Sequence, residues 1–200
     1  MNVIIIGKPG TFSKSTIPDN IDFSEIHILS SRVVLTIGAF SNCTTLKNVK
    51  FAADTELSMN SFAGCTNLKI TELPQCEVVP VCCFMNCKAL REIEIPSSVT
   101  EIEESAFKGS GLECIVFNEG LKKIDDFAFM NTKIRSIVLP RSMQRISKTA
   151  FTNSNLWVIY YYKISEYVVD DFVNGNKSLK GVVLRVIDWE SELMDTGSED

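Results

Sequence analysis

Large apolar residues recur along this chain with a step of 22 or 23 residues. Phe40, Phe62, Phe84, Phe107, Phe129 and Phe151 each follow a small residue, at intervals of 22, 22, 23, 22 and 22. Five residues before each stands Leu35, Leu57, Val79, Ile102, Ile124 or Ile146; five or six after it stands Leu46, Leu68, Leu90, Leu112, Ile134 or Leu156. An alternating pair follows: Val49/Phe51, Thr71/Leu73, Ile93/Ile95, Ile115/Phe117, Ile137/Leu139 and Ile159/Tyr161. Apolar residues with period two predict a short strand with one face buried. Each unit is expected to be a strand of about four residues, a turn, and a second segment that delivers its Phe inward.

The step continues in both directions, to Ile26/Ile28 and Ile4/Ile6 on one side and to Val182/Leu184 on the other. A unit this short cannot bury its own apolar face, whereas stacked units share a continuous core. The expected fold is a solenoid of about eight to nine coils of 22–23 residues, with a parallel β-sheet on its concave face. Residues 1–185 form one domain: divergent N-terminal coils over 1–34, regular repeats over 35–162 and a divergent last coil over 163–185, in which the repeat motif has decayed at Phe172-Val173. Pro96 and Pro140 directly after strands mark strand ends, where a missing N–H costs no ladder bond.

The stretch Ile93-Glu94-Ile95-Pro96-Ser97-Ser98-Val99-Thr100-Glu101-Ile102, followed by Ser105-Ala106-Phe107, resembles the core of the BspA-type leucine-rich repeat. Ile137-Val138-Leu139-Pro140-Arg141-Ser142-Met143, with Ile146 and Ala150-Phe151, is similar again. The resemblance covers about 150 residues well. It implies the leucine-rich repeat solenoid, an interaction surface often carried by cell-surface proteins of bacteria and anaerobic protists, and no catalysis.

With 45% apolar residues, the chain can fill such a core. A net charge of −5 argues against binding a nucleic-acid backbone, which needs clustered Lys and Arg. No apolar run approaches the length of a membrane span, so no membrane insertion is expected. Met1–Gly10 lacks the pattern of a secretory signal, and seven cysteines leave an odd thiol over. Both point to a reducing compartment and a cytoplasmic location; the family resemblance points to the cell surface.

Cys43, Cys65 and Cys87 each lie three residues after a Phe and stack in consecutive coils, where Ser110, Thr132, Ser154 and Asn176 continue the series. That series predicts small buried residues rather than a metal site, and no cofactor is expected. Cys82 and Cys83 are adjacent and point to opposite faces. The single histidine, His27, sits on the outward side of a strand between Ile5 and Lys50, without a nucleophile beside it. No catalytic residue is identified.

The outward strand positions are Ile5, His27, Lys50, Glu72, Glu94, Val116, Val138, Tyr160 and Val183. The middle of the series is charged and its end apolar, with Val158, Tyr160 and Tyr162 on one coil. Val116, Val138, Val158, Tyr160, Tyr162 and Val183 are therefore the candidate contact residues for a protein or peptide partner. Residues 186–200 hold six acids and no base; Val186, Trp189 and Leu193 have helical spacing and are expected to cap the last coil. A non-catalytic interaction scaffold, as an intracellular adaptor or a surface antigen or adhesin, is the expected function. The alternative is a structural subunit of a larger assembly. Neither partner identity nor oligomeric state follows from the sequence.

Overall fold

The computed structural model describes residues 2–16, 23–179 and 181–187. Strands run in two parallel series along a stack of coils. The outer series comprises β1 (Val3–Ile6), β3 (Glu25–Ile28), β5 (Asn48–Lys50), β7 (Glu92–Ile95), β9 (Cys114–Phe117), β11 (Ser136–Val138), β13 (Val158–Tyr162) and β14 (Val183–Ile187). The second series comprises β2 (Gly10–Phe12), β4 (Val33–Leu35), β6 (Val78–Val79), β8 (Glu101–Ile102), β10 (Lys123–Ile124) and β12 (Arg145–Ile146). Every pairing is parallel, and most join residues 22 or 23 apart: Ile4 with Ile26, Ile26 with Val49, Ile93 with Ile115, Ile102 with Ile124. The second series is a finding beyond the sequence pattern. Its two-residue strands are too short to show alternation, yet each places one aliphatic residue (Val79, Ile102, Ile124 or Ile146) in the core.

The six repeat phenylalanines are buried and form a ladder of stacked rings through the centre, with centroids 4.9–5.5 Å apart. Phe12 extends it at one end, 5.4 Å from Phe40. Phe172 closes it at the other, 6.0 Å from Phe151, although its coil has lost the Ala-Phe motif. The segment around each ring is a run of turns whose amides reach the next coil: Phe62 N–H to Cys83 O (2.9 Å), Phe84 N–H to Ala106 O (2.8 Å), Phe107 N–H to Ala128 O (2.8 Å). Two residues after each ring the backbone turns left-handed, at Asn42, Gly64, Asn86, Gly109, Asn131 and Asn153. Asn and Gly are the residue types that tolerate this conformation best.

Three expectations need correction. Thr71, assigned to the core by its place in the repeat, is exposed, and Ile70 is buried instead. A core hydroxyl without a partner would cost about 1–3 kcal/mol; turning the backbone brings in an aliphatic neighbour. Second, the last step is 25 residues: Ile159 pairs with Leu184, and Tyr160 with Arg185. Helix α1 (Glu166–Val173) takes up the added length and buries Val169 and Phe172, three residues apart on one face. Val183 therefore lies beside Val158 and not beside Tyr160. Third, Val186 belongs to β14 rather than to a helical cap. Trp189, Leu193 and the rest of the predicted cap lie outside the described residues.

Candidate interaction surface

Alternation along each outer strand sends one residue into the core and the next outward. The charged stretch of the outward face holds His27, Lys50, Glu72 and Glu94. His27 is flanked in register by Ile5 and Lys50, as the repeat predicts. Its Nε2 lies 3.4 Å from Glu25 on the same strand. Glu72 and Glu94 face each other across an isolated bridge, and Asn118 Nδ2 donates to Glu94 Oε1 at 2.8 Å.

Beyond Glu94 the face becomes apolar. Val116, Val138 and Tyr160 follow in successive coils and are 48%, 49% and 39% exposed. Val116 is in register with Glu94, and Val138 with Tyr160. Arg185 ends the stripe beside Tyr160. Three other candidates are placed differently. Val158 is 8% exposed, so it packs inside and offers nothing to a partner. Tyr162 is half-buried, with the Arg141 guanidinium 4.4 Å from its ring centroid. Val183 is exposed, but on the rung of Val158.

The last coil exposes further apolar side chains that sequence reasoning missed: Trp157, Ile164 and Tyr167. Trp157 immediately precedes its strand and falls outside the alternation. Ile164 lies just before helix α1 and Tyr167 lies in it, and among the described residues no other coil carries an α-helix.

The buried thiols are poorly placed for chemistry. All seven cysteines are unbridged. Cys65 Sγ donates to Phe40 O at 3.1 Å and Cys87 Sγ to Phe62 O at 3.2 Å. Those two thiols reach the phenylalanine of the preceding coil, whereas Thr132 Oγ1 donates within its own coil, to Phe129 O at 2.8 Å. Burial pushes Cys83 and Cys87 well above the ordinary thiol value, with neighbouring thiols adding to the effect, and raises Cys76 to about 11. A thiol kept protonated is a weak nucleophile and a weak metal ligand. Among the described residues, no three His, Cys, Asp or Glu side chains converge as a metal-ligating group. No helix among them is long and apolar enough to cross a membrane.

Parallel strands, one coil per repeat and a shared aromatic core define a leucine-rich repeat solenoid, the class of repeat protein whose broad sheet face generally serves protein interaction. The chain belongs to the BspA-type leucine-rich repeat family, whose six-copy model matches residues 12–78 and 55–180. A crystal structure of a leucine-rich repeat protein from Bacteroides ovatus is similar over 92% of this chain and 69% of that one, with 16% identity and a TM-score of 0.44. A leucine-rich cell-surface protein from Faecalibacterium prausnitzii is similar over 88% of this chain and 76% of its own, with 14% identity and a TM-score of 0.43. No curated protein matches the sequence.

Proposed function

We propose that this chain is a non-catalytic scaffold that binds a protein or peptide partner through the outward sheet face, with Val116, Val138 and Tyr160 as its centre. The observation that carries this is their simultaneous exposure on adjacent coils, at positions where a solvated sheet would be polar. Tyr adds a large contact area at low entropic cost, with a hydroxyl for the rim. The charged half of the same face, from His27 to Glu94, supplies orientation rather than affinity. Unbridged thiols in odd number support a reducing, cytoplasmic setting; family resemblance supports the cell surface as the alternative.

The experiment compares the wild type with a Val138→Ser/Tyr160→Ser variant. Both are used to capture partners from native lysate, and both are melted by circular dichroism. A partner lost at unchanged melting temperature supports the stripe; a partner retained in full overturns it.

A structural-subunit reading has one observation in its favour. Among the described residues β14 pairs with β13 on one edge only, and its side chains Val183, Leu184 and Val186 are exposed on both faces. An unpaired, apolar edge strand is a template for association. Light scattering that shows mass rising with concentration supports this reading, and a constant monomer mass removes it.

A further inference from the structure

The apolar stripe is bordered by charge of one sign. Arg185 stands in register beside Tyr160, on the outward face itself. Arg135 precedes β11 and shares a rung with Trp157, whose N–H donates to Arg135 O at 2.9 Å. Arg141 lies beyond the other end of β11, its guanidinium 4.4 Å from the Tyr162 ring centroid. All three arginines are exposed, and none makes an ion pair among the described residues.

No carboxylate answers them from the sheet. β9, β11, β13 and β14 contain no acidic residue. On the neighbouring turns, Glu113 is held by Arg91 at 2.7 Å and by Lys133 at 3.8 Å. Glu119 accepts from the backbone N–H groups of Arg141 and Ser142, at 3.0 and 3.2 Å. The acids of α1 belong to the other side of β13, because that helix packs against β12 of the second series and buries Val169 and Phe172. A face that is apolar in the middle and cationic on its borders selects a segment of apolar side chains flanked by carboxylates.

The same chain holds a segment of that composition. Residues 188–200 follow directly on Ile187, begin Asp188-Trp189-Glu190-Ser191-Glu192-Leu193, and carry six acids and no base. Trp189 and Leu193 are four positions apart, a spacing that shares a face in a helix and in a strand alike, with Asp188, Glu190 and Glu192 interleaved. Ile187 is in register with Tyr162, beside the stripe. From there Val138 is roughly 12 Å away, at about 4.8 Å per strand and about 3.3 Å per residue, whereas the 13 residues from 188 to 200 can span about 40 Å. A tether this short gives an effective concentration on the order of millimolar, so a few weak contacts suffice to populate a docked form.

We propose that residues 188–200 dock in cis on the Val116–Val138–Tyr160 stripe, with Trp189 and Leu193 against its apolar side chains and the interleaved carboxylates on Arg135, Arg141 and Arg185. An external partner then has to displace this segment. The inference deepens the reading of the stripe as a contact surface and rests on it.

The test uses the full chain, isotope-labelled, as wild type, as Trp189→Ser/Leu193→Ser and as Asp188→Asn/Glu190→Gln/Glu192→Gln. Both variants are expected to shift the amide resonances of Val116, Val138 and Tyr160, all distant in sequence from the substitutions, and to leave those of Ile26 and Val49 in place. Sodium chloride at about 0.5 M should reproduce part of the shift in the wild type and none in the carboxylate variant. In a Trp157→Phe background Trp189 is the only tryptophan. Val138→Ser/Tyr160→Ser should then raise its quenching by acrylamide toward that of a free peptide of residues 188–200. Unmoved stripe amides, or quenching equal to that of the free peptide before the stripe is altered, overturn the proposal. Shifts that grow with protein concentration also overturn it, since they mark segments exchanged between copies. If the amides stay in place while a lysate partner is still lost with Val138→Ser/Tyr160→Ser, the stripe stands as a contact surface and this segment is excluded as its occupant.

Discussion

Phe62 and Phe84 stack with ring centroids 5.5 Å apart and planes inclined by 4°. Parallel coils in near-constant register leave identical side chains one above the other, and here the repeated side chain is an aromatic ring. Each internal ring touches at least two others, so truncating one opens a cavity between neighbours that cannot both collapse. Phe84→Ala is expected to cost about 3–5 kcal/mol, the range for a buried aromatic. Phe172→Ala, at the end of the ladder, should cost less. Urea denaturation of the two variants checks the order.

Gly120 follows β9 with φ +119°, a region that side chains rarely adopt, and a Cβ there would overlap Ser97 O of the preceding coil. Its amide is held by Ser142 Oγ of the next coil at 2.9 Å. Gly120→Ala therefore strains the turn and pushes two coils apart. A loss of about 2–3 kcal/mol is expected by thermal or urea unfolding. Gly7→Ala, where a Cβ meets nothing within 4 Å, serves as the neutral control.

Thiol reactivity should sort by position. Cys114 is exposed, whereas Cys65, Cys83 and Cys87 lie in the core. Iodoacetamide at neutral pH followed by peptide mass spectrometry should label Cys114 first. These buried thiols, and Cys43 with them, should react on the timescale of unfolding. Rapid native-state labelling of Cys83 would contradict its packing.

Asp126 accepts hydrogen bonds from Ser147 Oγ and, at 2.8 Å, from Thr149 Oγ1, linking adjacent coils. These bonds, the Ser147 bond first, hold its carboxyl below the ordinary value of 3.8. A depressed folded value means that the stabilisation is present above 3.8 and is lost as pH falls through the lower folded value. Melting curves of wild type and Asp126→Asn, taken between about pH 6 and pH 2, should differ at the upper end and converge at the lower.

Much of the fold is legible in the sequence because one physical requirement, burial of the same face in each coil, repeats many times. The Phe ladder, the inward series from Ile4 to Ile159 and the neighbours of His27 all follow from the step alone. What the step conceals are local departures from it. Thr71 fits the alternation by position, but its hydroxyl has no place in an apolar core, so Ile70 replaces it. The interval after Tyr160 absorbs helix α1, so counting forward by 23 lands on Val182 where the register requires Leu184. Of the contact residues, Val116, Val138 and Tyr160 follow from parity. Val158 shares that parity and is nevertheless covered, because exposure at a strand end depends on which segments fold over it.

Because neighbouring windings hold each other and distant ones never meet, the overall size of this molecule is set by copy number rather than by any closed architecture. Excising residues 85–107, which joins Phe84 to Lys108 in the same phase of the motif, removes one ring and leaves the two flanking rings to meet. Such a shortened form should fold with nearly the same cooperativity per winding, whereas excising half that length would bring apolar columns out of phase and leave no folded product. Duplication or loss of whole windings is thus a route by which relatives of different reach can arise without reinventing their interior.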